Sequence, residues 1–161
     1  MKPTLFMMVG APGSGKSYFA REKLHHLVEN SDYISRDDIR FSLLKEGEPY
    51  FAHERATYNI FIERIIDALK IYHNAIADAV HINWPSRRKL INNINKYLDV
   101  NYIDIIPVIV TCSRETALER NSKRKGLANV PDNVITTAFD QMTDPANDPF
   151  KYLAIMRVCT E

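Results

Sequence analysis

The sequence has 161 residues, a length that suits one domain, residues 1–161, with one sizeable core. Lysine and arginine number 21 against 20 acidic residues, and a net charge of +1 argues against a protein that binds nucleic acid over a broadly basic surface. Cys112 and Cys159 form no C-x-x-C pair. The N-terminal apolar run is too short for a signal peptide, and no stretch could span a membrane. We therefore expect a reducing, cytoplasmic setting.

The first predicted unit is a strand, a glycine-rich loop and a helix. Residues 5–9 form an apolar run typical of a buried parallel strand, and a helix is predicted from Lys16 to about Val28. Between them lies a G-x-x-x-x-G-K-[S/T] loop, whose backbone N–H groups wrap phosphates at the positive end of the helix. A glycine-rich turn with a surface lysine is the alternative. We predict a nucleoside triphosphate site formed by Gly10, Ala11, Pro12, Gly13, Ser14, Gly15, Lys16 and Ser17.

A short second strand at Tyr33-Ile34 leads into a predicted helix. Ser35 is expected to be its N-cap, with Asp38 completing a capping box. Asp37 and Arg40 are three residues apart and therefore share a helix face. A carboxylate at the C-terminal end of such a strand lies where α/β sheets bind ligands. The spacing alone leaves open whether Asp37 belongs to a site or only complements the helix dipole.

The next helix carries an apolar stripe that indicates core packing: Tyr58, Phe61, Ile62, Ile65, Ile66 and Leu69. A third strand is predicted over 75–82, followed by a helix that Ser86 caps and that extends through Leu98. That helix opens with three cations, Arg87, Arg88 and Lys89, which indicate either an anionic partner or a solvated basic face.

The last third of the chain is predicted to contain a strand, a basic helix and a lid. Residues 103–111 are strongly apolar, although Pro107 argues for an edge strand or a bulge. The segment 114–126 starts as a helix and ends in a cluster of basic residues, in which Arg120 and Arg124 share a face. A helix C-terminus stabilised by cations is one interpretation, and a lid that clamps a transferring phosphoryl group is the one we favour. A helix over 133–142 and a strand over 153–158 complete the alternation of an α/β domain.

Four segments, in this order, resemble the kinase domain of bacteriophage polynucleotide kinase. They are Gly10 to Ser17, the R-D-D-x-R-x-S segment at 36–42, Asn83 through Arg87-Arg88, and R-N-S-K-R at 120–124 followed by Val130-Pro131. The resemblance extends to about Met142 and does not include the phosphatase domain that follows the kinase in the phage enzyme. It implies a P-loop kinase-like three-layer sandwich, with a central parallel sheet, helices on both faces and a basic lid.

The resemblance also implies roles for individual residues. Lys16 and Ser17 would serve ATP and its Mg²⁺, with Ser17 as the metal ligand. Asp37 matches the general base that takes the proton from the acceptor hydroxyl, and Arg40 matches an arginine that holds the acceptor's phosphate and orients that base. Arg124 matches the lid arginine on the donor phosphates, with Arg120 as its helper. Lys16, Arg124 and Asp37 are therefore the expected catalytic residues.

One segment departs from the family pattern. The family ends its third strand with Asp-Thr-Asn, whereas this chain has His81-Ile82-Asn83, so we expect the acidic residue to be missing and Asn83 alone to remain. His81 is then either an acceptor-site ligand or a histidine at a strand end, and Trp84 is a candidate to stack on one base. No second acidic magnesium ligand is evident.

The predicted function is ATP-dependent transfer of the γ-phosphate to a hydroxyl of a nucleic acid, in the first place the 5′-OH of DNA or RNA. The first alternative is a phage kinase acting on the hydroxymethyl group of 5-hydroxymethyluracil in DNA, which would keep the donor apparatus and alter the acceptor pocket. A nucleoside or small-molecule kinase comes third. A nucleotide-binding module without turnover and a non-catalytic nucleic-acid-binding protein are the alternatives from other classes. The oligomeric state is left open.

Overall fold

The computed structural model describes all 161 residues, and its centre is one five-stranded sheet. The strands are β1 Thr4–Val9, β2 Ser31–Ser35, β3 Asn74–Asp78, β4 Asp104–Thr111 and β5 Met156–Cys159. They lie in the order β2-β3-β1-β4-β5, and every neighbouring pair is parallel. Parallel neighbours need crossover connections, which helices provide here. The central strand β1 therefore delivers the phosphate loop to the middle of the sheet's C-terminal edge.

The helices cover both faces of the sheet. They are α1 Lys16–Phe19, α2 His25–Leu27, α3 Arg36–Leu43, α4 Glu54–Lys70, α5 Trp84–Asn95, α6 Arg114–Ser122 and α7 Asp132–Gln141. A π-helical turn over Ala20–Leu24 joins α1 to α2, and 3₁₀ turns occur at Val100–Tyr102, Gly126–Ala128 and Pro145–Asn147. None of these helices has the length and apolar character needed to cross a bilayer.

The core is divided between the two faces of the sheet. Side chains alternate along a strand, so Leu5 and Met7 of β1 face one way and Phe6 and Met8 the other. The first pair packs against the buried stripes of α4 and α5, and the second against the π-helical turn. The predicted stripe of α4 is confirmed as core, with only Tyr58 half-exposed. The predicted α/β sandwich with helices on both faces is thus confirmed.

The end of β3 differs from the prediction, and this difference matters for the site. The strand ends at Asp78 instead of Ile82. Beyond it the Val80 carbonyl accepts a hydrogen bond from the Gly10 N–H at 3.0 Å, and His81 adopts a positive φ of 43°, which a strand does not accommodate. The strand therefore ends with an acidic residue, Asp78, three residues before His81, which stands where the family pattern has its aspartate.

Several local predictions also need correction. Asn83, not Ser86, is the N-cap of α5, because its side chain accepts from the Ser86 N–H at 3.0 Å. Ser35 caps α3 as predicted, but Asp38 contributes only its backbone N–H. Pro107 lies in an interior strand, opposite Met7 of β1. It is tolerated because β5 begins to pair with β4 only at the following residue.

Other boundaries shift by a few residues. The first helical segment ends at Leu27 and contains the π-helical turn, and α5 ends at Asn95 instead of Leu98. The final strand is present but begins at Met156. The basic opening of α5 is not a solvated face throughout. Arg87 is fully buried, and its guanidinium donates to the Asp148 carboxylate from Nε at 2.7 Å and from Nη2 at 2.8 Å.

Candidate active site

The phosphate loop is shaped by two glycines with left-handed backbone. Gly13 and Gly15 have φ of 84° and 90°, values that L side chains rarely adopt. A Cβ on Gly13 would also lie 2.6 Å from the Ala117 carbonyl oxygen of α6. The loop is therefore packed closely against α6, and its backbone N–H groups precede the first turn of α1. This is the geometry of an anion cradle at a helix N-terminus.

Lys16 is held at the base of this loop by Asp78. Its ammonium donates to Asp78 Oδ1 at 2.7 Å, and the two side chains are 9% and 1% exposed. The Tyr33 hydroxyl donates to Oδ2 of the same carboxylate at 2.5 Å. Burial alone would raise the pKa of Asp78, but the Lys16 charge and the hydrogen bonds keep that pKa below its usual value. Burial and the same carboxylate raise the pKa of Tyr33, so its hydroxyl remains a donor.

Asp78 is also a candidate second oxygen ligand for a metal ion beside Ser17. The Ser17 hydroxyl is a further group that lowers the pKa of Asp78, after Lys16 and Tyr33, and both Ser17 and Asp78 line the cavity at the phosphate loop. A hydroxyl and a carboxylate beside a phosphate site suit Mg²⁺, which is usually bound by one or two carboxylates together with substrate phosphates and water. The residues present therefore fit a magnesium ion held by Ser17, Asp78 and the phosphates of a nucleotide.

The opposite wall of the site is a network of charges around Arg40. The Arg40 guanidinium donates to both oxygens of Glu54, at 2.9 Å from Nε and 2.8 Å from Nη2. Its Nη1 donates to Asp37 Oδ1 and, at 3.1 Å, to the Tyr50 hydroxyl. Arg40 is 7% exposed, whereas the Asp37 side chain is 57% exposed. Arg40 is thus a fixed support that aims an accessible carboxylate into the cavity.

Glu54 and Arg36 complete this wall, and sequence reasoning missed both. Glu54 accepts from Arg36 Nη2 at 2.5 Å as well as from Arg40, and these hydrogen bonds lower the pKa of Glu54. The Arg36 Nε is buried and has no hydrogen-bond partner. A buried donor without a partner is costly, so Arg36 has capacity for an anionic ligand. The signal in the sequence was weak, because Glu54 resembled one more polar residue on the outer face of an amphipathic helix.

His81 lies at the back of the site and is buried. Its Nδ1 is 2.9 Å from the Met8 carbonyl oxygen, so Nδ1–H donates and Nε2 is left as an acceptor without a partner. Burial is the main reason why the pKa of His81 falls to about 4. His81 is therefore a neutral side chain in the wall of the cavity.

One cavity of about 730 Å³ joins the phosphate loop to the Arg40 wall. Its lining includes the following predicted residues: Ala11, Pro12, Gly13, Gly15, Lys16, Ser17, Asp37, Arg40, His81, Asn83 and Arg124. Gly10 and Ser14 belong to the loop but do not line the cavity. Trp84 is half-buried against the hydrophobic core and does not line the cavity either, so the structure does not bring it to the acceptor site.

Arg120 and Arg124 have different positions. Arg120 supports the phosphate loop from outside the cavity, where its Nη1 donates to the Gly13 carbonyl at 3.3 Å and to Thr160 Oγ1 at 2.9 Å. Arg124 lines the cavity and forms no ion pair. The segment after Arg124 is fastened by the buried Asn121, whose amide donates to the Val130 carbonyl at 2.7 Å and accepts from the Val130 N–H.

The fold and the site define a P-loop protein with a kinase-like fold. The profile of a family described as an AAA domain matches residues 5–149, and the chain belongs to this family. No match was found among curated proteins.

Solved structures provide further comparisons. A chain of the Pnkp1/Rnl/Hen1 RNA repair complex is 28% identical with a TM-score of 0.72, over 87% of this chain and 44% of that chain. A putative kinase from Chloroflexus aurantiacus is 13% identical with a TM-score of 0.76, over 99% of this chain and 86% of that one. A fungal RNA kinase is 13% identical with a TM-score of 0.67, over 100% and 40%. The last two show a shared fold only. This chain spans less than half of the RNA repair chain and of the fungal kinase chain.

Proposed function

We propose that the chain is an ATP-dependent kinase that transfers the γ-phosphate to a hydroxyl of a nucleic acid, in the first place the 5′-OH of DNA or RNA. The observation that carries this proposal is the oriented Asp37 carboxylate, which faces the phosphate loop across one cavity. Binding a nucleotide needs the loop alone, whereas a supported carboxylate opposite the loop serves an acceptor. The similarity to a chain of an RNA repair complex supports a nucleic acid as that acceptor.

On the donor side, the proposed chemistry is charge neutralisation. The N–H groups of the loop would hold the β-phosphate, and the Lys16 ammonium would turn from Asp78 to the β- and γ-oxygens. Mg²⁺, held by Ser17 and Asp78, supplies further neutralisation of the phosphate oxygens when it is bound. Arg124 approaches from the lid side and stabilises the negative charge on the transferring group. Arg120 acts indirectly, because it positions the loop.

On the acceptor side, Asp37 would accept the proton of the attacking hydroxyl through its exposed carboxylate. A bond then forms between that oxygen and the γ-phosphorus, the bond to the β,γ-bridging oxygen breaks, and ADP leaves. Arg40 keeps Asp37 in place, while Glu54 keeps Arg40 in place. The unpartnered Nε of Arg36 is suited to the phosphate on the 3′ side of the acceptor nucleotide.

An acceptor-labelling screen tests this proposal. The protein is incubated with labelled ATP and Mg²⁺ and with 5′-OH DNA, 5′-OH RNA, duplex containing hydroxymethyluracil, or nucleosides. Label on the 5′-OH acceptors, absent with Asp37→Asn, is the expected result. Label on the hydroxymethyl group alone would replace the 5′-OH assignment with the second candidate, and label on nucleosides alone with the third. Tight ATP binding without any transfer would overturn the kinase proposal in favour of a nucleotide-binding module.

The hydroxymethyluracil alternative would lose part of its basis if Asp78, at the end of β3, takes the role of the family's aspartate. His81 remains the unusual residue in the segment after β3, because its backbone is left-handed. We also propose a reducing compartment, the cytoplasm (of the host if the protein is viral), since Cys112 and Cys159 are free thiols.

A further inference from the structure

A second cavity, a groove of about 780 Å³, lies between α4 and α5 and has no part in the proposed transfer. Both helices begin at the edge of the sheet that carries the phosphate loop, because α4 leads into β3 and α5 follows it. The groove therefore starts beside the active-site cavity and leads away along the side of the molecule. Its α4 wall extends from Glu54 to Lys70, about 24 Å at about 1.5 Å per residue.

The groove is continuous with the active-site cavity. Arg36, Tyr58 and Lys89 line both. At this junction the Tyr58 ring holds two cations, with Lys89 Nζ at 4.4 Å and Arg36 Cζ at 5.0 Å from the ring centroid. Such cation–π contacts fix the position of otherwise flexible side chains. An extended ligand that leaves the Asp37 site along this groove therefore meets two ordered positive charges.

The two walls of the groove differ in charge. The α5 wall presents Lys89, Asn93, Lys96 and Tyr97, and the whole of α5 contains no acidic residue. Neither lysine forms an ion pair, and Tyr97 is 65% exposed. The α4 wall mixes two further cations with three acidic residues, Glu54, Glu63 and Asp67. A polyanion would therefore follow the α5 wall.

We propose that this groove binds the acceptor strand on the 3′ side of its 5′-hydroxyl nucleotide. The phosphates lie along Lys89 and Lys96, and the exposed Tyr97 ring stacks on a base. Positive side chains that track a backbone beside an exposed aromatic ring are the chemistry of single-strand binding. This inference rests on the proposed function, because the strand is that of the acceptor. It explains how a chain with a net charge of +1 can bind nucleic acid.

The test compares a short acceptor, a nucleoside 3′-monophosphate, with a 5′-OH oligonucleotide long enough to follow the whole groove. Lys96→Glu should raise the KM for the oligonucleotide about three- to tenfold and flatten its salt dependence, while leaving the KM values for ATP and the short acceptor unchanged. Lys23→Glu is the matched control, because this exposed lysine belongs to the π-helical turn on the opposite face of the sheet. Asp67→Lys should lower the oligonucleotide KM, a gain that misfolding cannot produce.

Binding of a fluorescent oligonucleotide in the absence of ATP separates this inference from the proposed function. If Lys96→Glu shifts the KM of both acceptors equally or of neither, the groove assignment is overturned while the kinase stands. If no nucleic acid is phosphorylated, yet oligonucleotide binding weakens with Lys96→Glu and not with Lys23→Glu, the kinase proposal fails and the groove stands. Binding that is the same in wild type and both variants, without phosphorylation, overturns both.

Discussion

The two halves of the active-site cavity are built in different ways. The donor half is a backbone structure, in which glycines at positive φ turn eight consecutive residues around the place of a phosphate. The acceptor half is a side-chain structure, in which residues from α3 and α4 meet through ion pairs. Their aspartates differ accordingly: the Asp78 side chain is 1% exposed and paired with Lys16, whereas that of Asp37 is 57% exposed.

The difference in exposure suits the two aspartates to different tasks. A buried carboxylate with a lowered pKa stays ionised and can hold a cation, but it is a poor base for an incoming hydroxyl. A carboxylate that is open to the cavity can receive a proton. Substitutions around the cavity test this division, from the largest expected effect to the smallest.

Replacing Asp37 with Asn should affect the acceptor half alone. We expect kcat to fall about 10²–10⁴-fold, because the attacking hydroxyl loses its base, with little change in ATP affinity. The adjacent Asp38→Asn is the control, since α3 uses only the backbone N–H of that residue at its cap. Steady-state kinetics with a 5′-OH acceptor give the answer, and near-native turnover of Asp37→Asn would show that Asp37 is not the base.

Replacing Asp78 with Asn should affect stability as well as activity. The variant leaves the buried Lys16 without its anionic partner, which costs about 3–5 kcal/mol in the free energy of unfolding. Urea titration measures this loss. Asp140→Asn removes an exposed pair with Arg114 and should cost less than about 1 kcal/mol. Adding Lys16→Met to Asp78→Asn should recover part of the stability, and strictly additive losses would contradict a coupled pair.

The pKa of about 4 predicts that His81 makes stability depend on pH. Because the unfolded histidine, with a pKa near 6.5, binds a proton more readily than the folded one, stability should fall as the pH drops from 6.5 towards 4. The loss amounts to about 3 kcal/mol. Unfolding of wild type and His81→Gln at a series of pH values isolates this contribution, since the titration of Asp78 is common to both. Parallel pH profiles would mean that His81 titrates normally.

Glu54→Gln should loosen the acceptor half without removing a catalytic group. Arg40 would keep a neutral acceptor but lose the carboxylate that fixes it, so Asp37 would be less well placed, and we expect kcat to fall about ten- to hundredfold. Glu22→Gln, which breaks an exposed pair with Arg21, serves as the control. If both variants behave like wild type, Glu54 has no positioning role.

The same division explains what the sequence could predict. The phosphate loop depends on eight consecutive residues, so its position, its flanking strand and its helix followed from local pattern, as did the α/β fold. The Asp37–Arg40 pair followed from helical spacing, but Glu54 joins it from fourteen residues further along the chain, and no local pattern reports that contact. Asp78 was missed because an apolar run around it made the strand look longer than it is. The buried Arg87–Asp148 pair, whose partners are 61 positions apart, could not be predicted for the same reason as Glu54.

The Lys16–Asp78 pair has a consequence for how tightly a nucleotide can bind. The lysine of the loop is already neutralised by a carboxylate at 2.7 Å, so an arriving phosphate does not meet a free cation. The phosphate has to displace the Asp78 carboxylate from Lys16. The binding free energy gained at this position is therefore the difference between the Lys16–phosphate and the Lys16–Asp78 ion pairs. The released Asp78 carboxylate could then hold a doubly charged metal ion, which would favour the exchange. If Asp78 holds Mg²⁺ as proposed, the pair would couple nucleotide binding to metal binding, and a nucleotide without its metal should bind with only modest affinity.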